Sequence, residues 1–498
     1  MSAPHPDNVA AHRCHTGWNY HESMDMSGET RSTAQLRNGD GNTRDAVIVV
    51  PGLMGSALYD TVDQRYIWGL EPAWYVRAWS PIGTALAPLA VTDEERDGRG
   101  SRVIPAPLQF PVFSAALGGL APYTPLLREL RTAVLRPDAV LEFPYDWRLP
   151  VAHNAGLLAE KIDAHLTWWR ARSGNPEAQV VLVAHSMGGL LCRHLHTIPG
   201  ATDHVRDIVT LGTPFGGAAT VAAVLGSGVG GSIPLPAQRL RRVAVTMPGL
   251  YDLLPTYRSV VDGTWVRHLT ASDVASFGAD RELADTALRI QAAQRETTLI
   301  GHHALIGVGQ PTTSSLTVVD GLATGLENTF RPTSDGDLRR HPDGRPVAAA
   351  GLGDGTVPRN AALPARATTS MPAALHHMPL ARAATAITVA RDVVQHGAAD
   401  AGPRLGPGDG IGVRLPDIVV PNREWSVELT GTEALHATVT VVDVETNVAL
   451  PHGYPHRRDG AVRAAISLPK PGLYRVRVTG GPEPVIQYVL AESPDATE

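Results

Sequence analysis

The sequence predicts an α/β domain, a parallel sheet flanked by helices, followed by a smaller all-β sandwich. Three observations predict it. Short apolar runs bounded by turn residues recur between Ala46 and Ile306, and stretches with apolar residues three and four apart lie between them. After about Gly410 the pattern changes to alternation of apolar and polar residues. The chain has 498 residues, 43% hydrophobic and 18% charged. That length and balance suit roughly two to four domains with ordinary cores.

In chain order, residues 1–44 carry His, Asp, Asn and Arg without hydrophobic periodicity and are expected to be a mobile tail. His5, His12, His15 and His21 lie near Cys14 there, but their spacing matches no zinc pattern. Residues 45–396 form the α/β domain. Ala46–Val50, Ala139–Leu141, Val180–Val183, Asp207–Leu211 and Ala304–Ile306 read as strands buried on both faces, with helical periods at Pro125–Leu130 and Ala155–Leu166. Residues 397–410, rich in Gly, Ala, Asp and Pro, read as a linker. Residues 411–498 form the sandwich, where Trp425–Leu429, Val439–Val441 and Tyr474–Val478 alternate.

Several classes are argued against. The 43 Lys and Arg face 49 acids, a net charge of −6, and form no basic cluster, so nucleic acid is not an expected partner. Cys14 and Cys192 cannot build a disulfide framework and fit a reducing compartment. With no apolar leader and no uninterrupted apolar span, the expected location is cytoplasmic. The stretch 219–236 is too short and too glycine-broken to cross a membrane.

The chemistry concentrates at Val180-Val-Leu-Val-Ala-His-Ser-Met-Gly-Gly189, an apolar strand followed by small-x-Ser-x-Gly and a helical run. This is the nucleophile-elbow pattern: a sharp turn presents the Ser186 hydroxyl to a base, and Gly188 stays small where helix and strand cross. Ala184 stands where the first glycine is usual, and His185 reads as filler at the variable position. Val49-Val-Pro-Gly-Leu-Met-Gly-Ser56 follows the first buried strand as a glycine-flanked turn. An oxyanion needs two preorganised donors, and we assign them to the backbone N–H groups of Leu53 and Met187, with Met54 as the neighbouring alternative to Leu53.

Six motifs then occur in one order: Pro51–Ser56, Pro144–Arg148, Ala184–Gly188, Leu211–Gly217, Pro248–Pro255 and Gly353–Pro358. With these the chain resembles the lecithin:cholesterol acyltransferase family over Asp45 to about Val394. The resemblance implies an α/β-hydrolase fold with inserted cap or lid segments and a Ser-Asp-His triad. It does not extend to the tail, the sandwich, or the disulfides of secreted members. Asp354 sits in a turn suited to orienting an imidazole and matches the family's acid, whereas Asp320, Asp335, Asp337 and Asp343 read as solvated loop residues. For the base, His377 is preferred over His376 because His377-Met-Pro-Leu380 best fits the family's pattern.

Two groups remain open. Asp146 and Arg148 fit either a buried ion pair or a substrate contact. The tryptophan-rich segment Tyr66–Trp79 fits either a lipid–water boundary or a packed lid. The expected function is hydrolysis or transfer of a lipid acyl ester, a phospholipid by resemblance, with no cofactor and no metal. A small soluble ester is the second expectation. Transient contact with a membrane surface is compatible with the aromatic segment. A protein partner through the sandwich, as in a membrane-damaging effector of a bacterial conflict system, is a further one. All triad and oxyanion candidates precede His396, so the sandwich is expected to be dispensable for a short soluble ester and needed only for the physiological target.

Overall fold

Runs of Val, Ile, Leu and Ala that are buried on both faces form the centre of the protein. In the computed structural model six parallel strands make one sheet: β1 (Ala46–Val50), β2 (Val140–Glu142), β3 (Val180–His185), β4 (Val205–Leu211), β5 (His302–Gly307) and β6 (Thr369–Ala373), in the spatial order β6-β5-β4-β3-β1-β2. Every residue of β1 and β3 is buried, which is why these segments read as continuous apolar runs rather than alternations. The structure describes residues 42–492 apart from 70–84, 109–121, 231–234, 332, 334–336, 399–409, 417, 432, 452, 459 and 482–483. The tail with Cys14 and its histidines, most of the 397–410 linker, Asp335, Trp74 and Trp79 lie outside the described residues.

Helices α1 (Thr124–Ala133), α2 (Val151–Ser173), α3 (Met187–Leu195) and α6 (Ala384–His396) cover the sheet, α2 packing on α3 and α1 on α6. Leu126, Leu127 and Leu130 line the buried face of α1, and Leu158, Ile162 and Leu166 that of α2, the spacing expected of amphipathic helices. The segments leaving β4 and β5 carry insertions. They contain α4 (Ala219–Ser227), α5 (Ala237–Ala244) and a four-stranded sheet of Arg258–Asp262, Trp265–His268, Ser315–Val319 and Leu322–Leu326. Helix α4 is apolar nearly all round because it lies against this cap sheet at Leu322–Leu326 and also lines the cavity described below.

Beyond Gly410 two further sheets follow. One has the order β7 (Gly412–Arg414), β9 (Glu424–Thr430), β13 (Ala461–Ser467), β12 (His456–Arg458). The other has β8 (Ile418–Val419), β15 (Val485–Ala491), β14 (Gly472–Thr479), β10 (Thr438–Asp443), β11 (Ala449–Leu450), all antiparallel except the β8–β15 pair. Alternate residues such as Val427, Val439, Val441, Val476 and Val478 make a second core. The architecture is an α/β-hydrolase fold with cap insertions followed by a β domain, as the sequence predicts.

Candidate active site

Strand β3 ends at His185 and α3 begins at Met187, so Ser186 occupies the whole turn between them, with φ 53° and ψ −125°. A non-glycine residue at positive φ is strained. The surrounding packing holds it: Ser186 N–H donates to the Leu211 carbonyl at 2.9 Å, and a Cβ on Gly188 would come within 2.5 Å of the Pro51 carbonyl oxygen. Helix and strand can therefore meet this closely only with glycine there.

Two loops at the carboxyl ends of other strands bring the remaining groups. His377 follows β6, and its N–H donates to the Asp354 carbonyl at 2.8 Å. Its Nε2 lies 2.8 Å from Ser186 Oγ and its Nδ1 lies 2.7 Å from Asp354 Oδ2. The other carboxylate oxygen of Asp354 accepts the Thr356 and Val357 N–H groups at 3.0 and 2.6 Å. Asp354 is thus held by backbone donors on one side and the imidazole on the other, and all three side chains are buried. Asp320, Asp337 and Asp343 are exposed.

The turn at Pro51–Gly55 passes directly over the serine: a Cβ on Gly52 would sit 2.8 Å from Ser186 Cβ. Neither the Leu53 nor the Met187 N–H has a hydrogen-bond acceptor among the described residues. His185, read as filler from the sequence, is tied into this corner. Gly52 N–H donates to Tyr123 Oη at 2.8 Å; His185 Nε2–H donates to the His377 carbonyl at 3.1 Å, which leaves Nδ1 of the neutral ring to accept from the Tyr123 hydroxyl at 3.0 Å. Burial, reinforced by the neighbouring His377, pushes the His185 imidazole down to about 3 and keeps it neutral. No local sequence signal marks Tyr123, whose contribution depends on contacts dozens of residues away.

Ser186 and His377 form part of the wall of an apolar cavity. Leu86, Leu89, Val221, Val224, Leu240 and Val243 line much of the rest, and no Lys, Arg, Asp or Glu lines it among the described residues. Trp68 and Trp147 share the lining and pack edge to face, centroids 5.7 Å apart, with Trp68 Nε1 donating to the Met54 carbonyl at 2.9 Å. Of the aromatic segment, Trp68 is therefore buried in the cavity wall. Arg148 is wholly buried and paired with Asp146 at 2.7 Å and Glu95 at 3.0 Å, which is the ion-pair alternative rather than a substrate contact. Cys192 is buried on α3, and no helix among the described residues is long and apolar enough to cross a membrane.

Sheet order and elbow together define the α/β-hydrolase fold class. Residues 114–313, which hold four of the six motifs, match the model of the lecithin:cholesterol acyltransferase family and support the resemblance. The curated relatives include the lysosomal phospholipase A and acyltransferase of Homo sapiens, 31% identical over 252 residues, 47% of this chain and 55% of that protein. The same protein of Canis lupus familiaris is 29% identical, with 47% and 55% covered. The chain thus spans about half the length of the curated relatives it matches. Among solved structures, a chain of the Tle4–Tli4 complex aligns with a TM-score of 0.44 at 15% identity over 70% of this chain and 97% of that one. The Bacillus licheniformis lipase BlEst2 aligns with a TM-score of 0.31 at 13% identity over 91% and 76%.

Proposed function

We propose that the protein hydrolyses or transfers the acyl chain of a lipid ester, with a phospholipid as the donor, through a triad of Ser186, His377 and Asp354. The observation that carries this reading is the hydrogen-bonded chain from Asp354 Oδ2 through His377 to Ser186 Oγ at the wall of an apolar cavity. His377 Nε2 takes the Ser186 proton as Oγ attacks the ester carbonyl, while Asp354 holds Nδ1–H and stabilises the imidazolium. The Leu53 and Met187 N–H groups receive the oxyanion. Collapse expels the alcohol, which takes its proton from His377, and leaves an acyl-Ser186 ester. Water or a second alcohol, deprotonated by His377, then releases the acyl group.

A cavity with no charged side chain in its described lining suits an alkyl chain and leaves a charged headgroup outside. Each methylene moved from water into such a site contributes about 0.8 kcal/mol, so kcat/KM for p-nitrophenyl esters should rise with acyl length by up to roughly fourfold per methylene until the cavity is filled. A flat chain-length profile would favour the small soluble ester instead. The decisive experiment is lipid mass spectrometry of acyl chains released or transferred from phospholipid vesicles by wild type and Ser186→Ala. Release or transfer lost in the folded variant supports the proposal; undiminished fluorophosphonate labelling of that variant rejects it.

A further inference from the structure

The β domain after Gly410 does not sit apart from the candidate triad. It rests on both loops that supply the acid and the base, and the contacts are polar and specific.

On the acid side, Gln310 is completely buried, and its amide is read in both senses by one strand edge. Its Nε2–H donates to the Ile411 carbonyl at 2.9 Å, and the Val413 N–H donates to its Oε1 at 3.1 Å. The Gln310 backbone pairs with Gly353 and Asp354. Thr312 closes the grip: its hydroxyl donates to the Gln310 carbonyl at 2.8 Å and accepts the Gly355 N–H at 2.9 Å. A continuous path of hydrogen bonds therefore runs from Ile411 and Val413 to the turn that carries Asp354.

On the base side, His376 is wedged between that same turn and strand β15. A Cβ on Gly355 would lie 2.6 Å from its Nδ1, and its Nε2 accepts from the Gln487 amide at 3.1 Å. The fit is close elsewhere along the seam. A Cβ on Gly412 would lie 2.6 Å from the Gly309 carbonyl oxygen. Leu490 of β15 belongs to the hydrolase core, with Leu473 and Tyr488 packed against it.

From this arrangement we infer that the C-terminal β domain is a clamp on the acid and base loops, with Gln310, His376 and Gln487 as positioning residues for Asp354 and His377. The inference rests on the triad reading above. It follows from the chemistry of the loops, because the segments carrying Asp354 and His377 leave the sheet, and a displacement of about 1 Å at a reacting group lowers a rate by up to 100-fold. A domain that holds both loops fixes the 2.7 Å contact between Asp354 and His377 from outside the sheet.

The test uses the full chain carrying Gln310→Met or Gln487→Met, each keeping an unbranched side chain of similar length while removing the amide. Wild type and Ser186→Ala run in parallel. Active sites are titrated with a fluorophosphonate, melting temperatures are recorded, and kcat and KM for a short soluble ester are expressed per titrated site. A residue that only stabilises the fold lowers the melting temperature and the number of active sites but not kcat per site. The clamp predicts a per-site kcat reduced about tenfold or more with KM nearly unchanged. A per-site kcat within roughly twofold of wild type in either variant rejects the clamp at that loop, and in both rejects it entirely. If Gln310→Met does not fold, Gln487→Met, at a half-buried strand position, decides alone. Activity retained by Ser186→Ala would instead overturn the triad reading.

Discussion

His376 and His377 are adjacent and chemically identical, yet their surroundings separate them. His377 reaches both Ser186 and Asp354, while the His376 ring faces the Gly355 turn and Gln487. His377→Ala is expected to lower turnover by about six orders of magnitude, as loss of the base in a serine triad does. His376→Ala should lose only what loop position contributes, roughly tenfold; the reverse outcome in steady-state kinetics would shift the register by one residue. Asp354→Asn should impair turnover by removing the carboxylate that orients Nδ1–H. The same pair of surroundings gives a pH dependence. Burial holds the His376 imidazole down to about 4, against an ordinary value near 6.5, so it folds as the neutral form. Below about pH 6.5 the unfolded chain takes up a proton that the folded protein refuses until about pH 4. Stability therefore falls as pH drops through that window, by an amount on the order of 3 kcal/mol for this one group. Urea unfolding between pH 7.5 and 4.5 should show a shallower acid loss in His376→Gln than in wild type, and parallel curves would refute the assignment.

At the scale of elements, the turn from Pro51 to Gly55 and the elbow at Ser186 are one unit, because β1 and β3 are sheet neighbours and end side by side. Gly52→Ala should therefore damage chemistry more than stability. The added methyl meets Ser186 Cβ at 2.8 Å and His185 Nδ1 at 3.0 Å first, and pushing the turn outward would move the Leu53 N–H from its proposed oxyanion position. Loss of one such donor lowers kcat by roughly 100- to 1000-fold; unaltered kcat with a normal melting curve would take Leu53 out of the mechanism. These units were legible in the sequence for a physical reason. A strand buried on both faces has to be a continuous apolar run, and an elbow has to pair a nucleophile with a small residue at the helix crossing. Gly188 meets that second requirement against the Val50 and Pro51 carbonyls. His185 and Tyr123 were not legible, because their roles come from hydrogen bonds spanning 62 and 192 residues that leave no local period. The cap sheet was equally hidden, since Leu316 pairs with Val260 across a long excursion of the chain.

At the scale of the whole molecule, the change of period after Gly410 marks the change to mostly antiparallel sheets but says nothing about what those sheets touch. From the sequence alone the β domain reads as a separable recruiting module, because every candidate catalytic residue precedes it. The packing argues otherwise. Val444, Leu473, Tyr488 and Leu490 lie against the hydrolase core, so removal of 411–498 would bare an apolar face as well as the Gln310 amide and the Gln487 side of His376. The Gln310 amide loses its two bonds to the strand edge, in addition to the exposed apolar area. Truncation after Gly410 is therefore expected to yield a protein that melts earlier and associates, and whose monomeric fraction turns over a short p-nitrophenyl ester at least about tenfold more slowly than the full chain. Loss on the soluble ester is the discriminating result, since a purely recruiting domain would affect vesicle phospholipid alone. Size-exclusion chromatography with light scattering, followed by assay of the monomer peak on both substrates, distinguishes the two. A monodisperse truncation with full soluble-ester turnover would return the β domain to a recruiting role.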